Sequence, residues 1–220
     1  MNFSWKRWII TGTIIPAAII LFTAFASAAN FDREPGYVYP PVPPSGKPEP
    51  FKPRQYVAYK AFDTISIDGA LDESSWKNAE WTNPFGHILS VRGYAKPFLA
   101  TRAKILWDNE NLYFAAEMEE PNLIGYIAQH DTVVCFDNDF EIFIDADDDA
   151  QNYIELQFNT LGTIFDVFYP KEFHRGGLPH GWPQGFYDTR DSPHWDLEGM
   201  RIAARVDGTL NYPLDRDRGW

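Results

Sequence analysis

The sequence predicts an all-β fold, an antiparallel β-sandwich or barrel. Three observations carry this. Short runs of alternating polar and apolar residues recur from Gln55 onward, with turn residues between them. No segment after residue 54 keeps a helical period. The chain of 220 residues holds one cysteine, Cys135, so it relies on a hydrophobic core rather than a disulfide framework.

The elements follow in order. Tyr56–Ala61 alternates, Thr64–Ile67 follows, and Asp68-Gly69 makes a turn. Leu71–Ala79 reads as a short helical turn capped by Asp72 or Ser74. Thr101–Trp107 and Leu112–Met118 form a hairpin about the turn Asp108–Asn111. Phe140–Asp145, Tyr153–Asn159 and Ile164–Tyr169 are three more strands, the last two joined at Leu161-Gly162. A long loop rich in glycine and proline runs from Pro170 to His194, and Met200–Val206 alternates again before Asp207-Gly208. Trp76, Ile105, Leu106, Trp107 and Phe158 sit in these frames as core or core-edge residues.

Two segments precede the β domain. Residues 1–29 read as a secretory signal peptide. Lys6 and Arg7 lead an apolar run from Ile9 to Phe25, and Ala26-Ser27-Ala28 supplies the small residues before the cut. Export makes the protein secreted or periplasmic. An uncleaved anchor helix is the rival reading, and only then is a membrane a partner. Residues 30–54 form a linker in which Tyr39-Pro40-Pro41-Val42-Pro43-Pro44 favours an extended spacer. Residues 55–220 are the β domain. Asp215–Trp220 reads as the turn opening a further strand, so the last strands are expected to be missing.

Charge narrows the partners. With 19 Lys+Arg against 31 Asp+Glu the formal charge is −12, deepening to −14 once Lys6 and Arg7 are removed. Nucleic-acid affinity comes largely from basic residues neutralising phosphates, so no nucleic-acid partner is expected. A lone cysteine excludes multi-cysteine zinc and iron–sulfur sites. His87, His130, His174, His180 and His194 show no ligand spacing and read as surface or capping residues.

Strand alternation places one group of polar residues together. Phe140, Ile142 and Ile144 point one way, and Glu141, Phe143 and Asp145 the other. Ile154, Leu156 and Phe158 likewise oppose Tyr153, Glu155, Gln157 and Asn159. If the strands are neighbours, one face carries Glu141, Glu155, Gln157 and Asn159 beside Phe143 and Tyr153. Acceptors, amides and rings suit a sugar, which offers hydroxyl edges and C–H faces. A solvated outer face uses the same pattern. In the long loop, Trp182, Phe186 and Tyr187, with Trp195 just beyond it, are ligand rings or anchors of the loop. Asp145, Asp147 and Asp149 alternate as calcium ligands do, or form a solvated turn. Ala150 at the glycine position and Leu156 at the closing glutamate position exclude an EF-hand.

Four blocks also carry a resemblance: Ile67-Asp68-Gly69-Ala70-Leu71-Asp72-Glu73-Ser74-Ser75-Trp76; the hairpin through Trp107-Asp108 and Leu112-Tyr113-Phe114; Asn138-Asp139-Phe140-Glu141-Ile142-Phe143-Ile144-Asp145; and Tyr153-Ile154-Glu155-Leu156-Gln157-Phe158-Asn159. In this order they resemble the family 9 carbohydrate-binding modules, within the DOMON-like β-sandwich group. The resemblance spans roughly Thr64 to Trp220, and the family pattern would continue past Trp220. It implies a jelly-roll or immunoglobulin-like sandwich that binds oligo- or polysaccharide, working beside a glycoside hydrolase in polysaccharide breakdown. By position, Glu141 matches a sugar-binding Glu and Asn159 an Asn, while Gln157 replaces an Arg. A clamp tryptophan is replaced by Cys135, with Phe136 beside it. Trp182 or Tyr187 would then supply the missing ring. The resemblance also implies a structural calcium ion; no organic cofactor is expected.

The reading is therefore a non-catalytic carbohydrate-binding protein. Two others stay open. Glu141 and Glu155 could form the carboxylate pair of a glycosidase acting on O-glycosyl bonds. A DOMON-type sandwich could hold haem between Met118 and His130 or His87.

Overall fold

The computed structural model describes residues 54–86, 97–172, 179–181 and 195–220, and the backbone of 19–25. The rest of residues 1–29, where a signal peptide is expected, the proline-rich residues 30–53, and His87, His174, Trp182, Phe186, Tyr187 and His194 lie outside the described residues. Among the described residues no helix is long and apolar enough to cross a membrane.

The fold is all-β. Strand β1 is Ile19–Phe25, β2 Tyr59–Lys60, β3 Thr101–Trp107, β4 Leu112–Met118, β5 Asp139–Asp145, β6 Tyr153–Asn159 and β7 Ile164–Tyr169. Among the described residues one α-helix, α1, covers Ser74–Asn78, and a 3-10 turn covers Val134–Phe136. One sheet runs β1-β5-β6-β7, all antiparallel; the other runs β2-β3-β4. The short β2 pairs parallel to β3, a departure from the all-antiparallel expectation.

Alternation in the strands builds the core between the sheets. Phe140, Ile142 and Leu156 of one sheet pack with Ala103 and Met118 of the other, and Phe114, Ala116 and Phe158 join them. The rings of Phe140 and Phe158 lie 5.7 Å apart, and Trp220 meets Phe158 edge-on at 6.0 Å. Trp220 also exchanges both backbone hydrogen bonds with Met118, extending β4's edge.

Each sheet is covered on its other face too. Ile65, Trp76, Ala79, Leu106, Tyr113 and Ala115 form a second cluster beneath α1. Glu73 precedes the helix without capping it by its side chain. The cap comes instead from Asp63, whose carboxylate accepts the Ser74 N–H at 2.8 Å and the Ser75 hydroxyl. Neither Asp72 nor Ser74 performs this role. Lys104 is buried there, donates to the Trp76 carbonyl at 2.6 Å, and lies over the Trp81 ring.

The central strands match the sequence expectation residue for residue in β3, β4, β6 and β7, and β5 starts one residue early. Met200–Val206 forms no strand; its neighbourhood makes only an isolated bridge between Asp207 and Gly219. Thr64–Ile67 is likewise irregular. Their alternation records burial against the sandwich rather than ladder pairing.

Candidate functional site

The register of β5, β6 and β7 sets the polar face. Glu141 pairs with Gln157, which pairs with Phe165; Phe143 pairs with Glu155, which pairs with Val167; Asp139 pairs with Asn159. Glu141, Glu155, Gln157 and Asn159 therefore share one face, opposite the inter-sheet core. Tyr153 and Tyr169 close its lower end, stacked at 4.7 Å.

This face is not a solvated surface. Glu141, Glu155 and Gln157 are each 5% exposed and Asn159 is fully buried. The sequence cannot show the cover, which is the segment from Ile127 through the 3-10 turn. Val133 and Val134 pack there on Phe165, Val167 and Tyr169. The face grades from sealed at Asp139 and Asn159 to half-buried at Phe143, Asp145 and Tyr153.

Its polar groups have distinct tasks. Asn159 saturates its amide within the protein: Nδ2 donates to the Ile127 carbonyl and Asp137 Oδ2, each at 2.8 Å, and Oδ1 accepts the Leu161 and Thr163 N–H groups. Asp137 Oδ2 also accepts from Tyr126 and Ile127 N–H, so one carboxylate ties the cover to the sheet. Glu155 accepts from Gln157 Nε2 at 2.5 Å and from the Tyr169 hydroxyl at 2.6 Å. Burial pushes the Glu155 carboxyl above its usual range. Gln157 Oε1 and both Asp139 carboxylate oxygens are buried without a hydrogen-bond partner. Burial, then the charges of Glu141, Glu155 and Asp137, push Asp139 up to about 9. Asp139 is thus a neutral acid at pH 7, able to donate as well as accept. The sequence missed it, although its place two residues before Glu141 on the same face was the available signal.

Cys135 stands where the resemblance would put a clamp ring. It is half-buried, and burial followed by the charge of Asp139 pushes its thiol up to about 11. The adjacent Phe136 is 57% exposed at the rim of the cover. Trp195 packs against Phe168 at 5.9 Å, anchoring the chain beyond the long loop.

The remaining expected groups are placed as follows. Asp145, Asp147 and Asp149 bring carboxylate oxygens within 4.8 Å of one another at the β5–β6 turn. Asp145 accepts backbone N–H groups from Asp148 and Ala150, and Asp149 from Gln151, so hydrogen bonds already fix the loop. The charge of Asp149 heads the causes that raise Asp147. Met118 lies in the inter-sheet core, whereas His130 faces three carboxylates; the structure holds them in different surroundings. A cavity of about 360 Å³, unforeseen in the sequence, lies on the other sheet. It is lined by Tyr59, Lys60, Phe62, Ser75 and Asn78, and both rings are more than half exposed.

One sheet of the sandwich thus carries amides and carboxylates across adjacent strands. Residues 67–161 match the family model described as carbohydrate family 9 binding domain-like, so the chain carries a domain similar to that family over this stretch. The matched stretch contains α1, β3 to β6 and all of Glu141, Glu155, Gln157 and Asn159. No curated protein and no solved structure matches the chain.

Proposed function

We propose that this chain is an exported, non-catalytic protein that binds oligo- or polysaccharide and supports polysaccharide breakdown beside a glycoside hydrolase. The observation that carries the reading is the row Glu141–Gln157–Glu155 on one face of β5 and β6, inside the segment matched by the carbohydrate-binding family. Sugar hydroxyls both donate and accept, and the row supplies both kinds of partner. The half-buried end at Phe143 and Tyr153 supplies apolar ring surface for a sugar's C–H face.

Binding fits the arrangement better than hydrolysis does. Glu141 and Glu155 are diagonal neighbours across β5 and β6, roughly 7–8 Å apart by ordinary sheet geometry. That spacing suits an inverting pair, but Glu155 is already committed as acceptor to the Tyr169 hydroxyl and Gln157 Nε2, which leaves it poorly placed to serve as a catalytic acid or base.

The test is calorimetric and array screening of the full chain against mono-, oligo- and polysaccharides. Glu141→Gln keeps the shape but removes a charge-assisted acceptor, so affinity should fall about tenfold, corresponding to about 1.4 kcal/mol. Absence of saturable binding to every saccharide would refute the proposal. Sugar release by the wild type, abolished in Glu141→Gln, would transfer the assignment to a glycosidase.

A further inference from the structure

His130, Asp131, Asp166 and Asp196 converge although three separate segments supply them. One nitrogen or carboxylate oxygen from each lies within 4.8 Å of all the others. His130 Nδ1 is 3.1 Å from Asp131 Oδ1 and 3.9 Å from Asp196 Oδ1, and His130 Nε2 is 3.8 Å from Asp166 Oδ1. Neither the resemblance nor the matched family segment draws attention to the group, and Asp166 and Asp196 lie outside that segment.

Asp166 distinguishes this group from an ordinary acidic cluster. It sits on β7 and is 2% exposed. Its Oδ2 accepts the Leu197 N–H at 2.5 Å. Its Oδ1 is buried, has no hydrogen-bond partner, and faces the cluster. A buried carboxylate oxygen without a donor is costly unless a cation compensates it. Asp131 Oδ1 is also buried without a hydrogen bond, against His130 Nδ1.

We propose that His130, Asp131, Asp166 and Asp196 form a divalent metal site of the zinc or manganese class. The donor set selects the metal. An imidazole with carboxylates suits zinc and manganese, whereas calcium takes oxygen ligands alone. Metal–ligand bonds of about 2.0–2.2 Å place neighbouring ligands roughly 3.4 Å apart in a tetrahedron. His130 and Asp196 are the more exposed members, their side chains 52% and 45% exposed, so movement there can shorten their separations toward that value.

The position gives the site a structural task. Asp131 donates its backbone N–H to Ile164 at the start of β7, and His180 exchanges backbone bonds with Phe168 farther along the same edge. Asp196 and Leu197 arrive from the far end of the 170–194 segment. A metal here staples that returning chain to β7 and to the segment that leads into the cover of the polar face. The inference does not depend on sugar binding.

Titration of the metal-free full chain with Zn²⁺, Mn²⁺ and Ca²⁺ separately tests it. One equivalent of Zn²⁺ or Mn²⁺ should bind and raise the unfolding temperature. Co²⁺ should give the intense visible d–d bands of a four-coordinate site. His130→Gln, an exposed change, should abolish those bands and weaken Zn²⁺ binding at least about tenfold, the size expected when metal-site contacts are removed. Asp166→Asn retains the Oδ acceptor for Leu197 while removing the charge, and should weaken Zn²⁺ similarly. No saturable binding, binding unaffected by both variants, or tighter binding of Ca²⁺ than of Zn²⁺ would each overturn the proposal.

Discussion

Asp139→Asn should make the protein less sensitive to alkali. Asp139 is 1% exposed, and its carboxyl is pushed from an ordinary value of 3.8 to about 9. Between those values the folded chain keeps a proton that the unfolded chain has released, so stability falls as pH rises. The slope is about 1.4 kcal/mol per pH unit for one such group. From pH 5 to pH 7 the loss is therefore about 3 kcal/mol, a large share of the roughly 5–15 kcal/mol that holds a domain together. Glu155, Glu120 and Asp166 are displaced in the same direction, mainly by burial, so their contribution has the same sign. Asp108 is held down to about 2, chiefly by the Tyr113 hydroxyl, so its opposite contribution is confined to acid below that window. Asparagine imitates the protonated acid and removes one proton's worth of slope. Urea unfolding of both proteins at pH 5, 6, 7 and 8 measures this. Parallel profiles, or wild-type stability that rises over this range, would refute the reasoning.

Other consequences are more local. Asn159→Ala should destabilise the fold by about 2–4 kcal/mol, because it strips the Leu161 and Thr163 N–H groups and the Ile127 carbonyl of their partner; chemical denaturation reads this without any sugar. Trp76→Ala should cost about 3–5 kcal/mol, since the ring is 2% exposed beneath α1, and a variant within 1 kcal/mol of wild type by the roughly calibrated urea midpoint would contradict the packing. Cys135, with its thiol at about 11, should be about one part in a thousand thiolate at pH 8. Its reaction with a disulfide reagent should therefore accelerate at least about a hundredfold when the chain is unfolded in urea; equal rates would refute the burial argument.

The hairpin Thr101–Met118 was legible because its signals are local: period-two alternation on both sides and Asp108, whose carboxylate accepts the Glu110 and Asn111 N–H groups within the turn. The shared face of Glu141, Glu155, Gln157 and Asn159 followed from the same alternation. What lay over that face did not. Val133 and Val134 come from a segment with no strand period, and only tertiary packing brings them to Phe165 and Val167. Asp63 caps a helix that begins eleven residues later, beyond the reach of a local capping rule. His130 meets Asp166 from 36 positions away, so no ligand spacing could reveal the pair. Conversely, Met200–Val206 has the alternation of a strand without a ladder partner.

Strand β1 sets two fates for the same residues against each other. Ile19–Phe25 lies along the outer edge of β5, and on the proposed export it would also be the apolar stretch that a secretory translocase engages. On that reading a chain folded in this way would hide its targeting element, and pairing with β5 and delivery across a membrane would draw on one set of backbone groups. Peptidase cleavage near Ala29 would end the competition irreversibly. Residues 139–145 would become the sheet's border, and the backbone groups previously engaged by Ile19–Phe25 would pass to water or to an added strand.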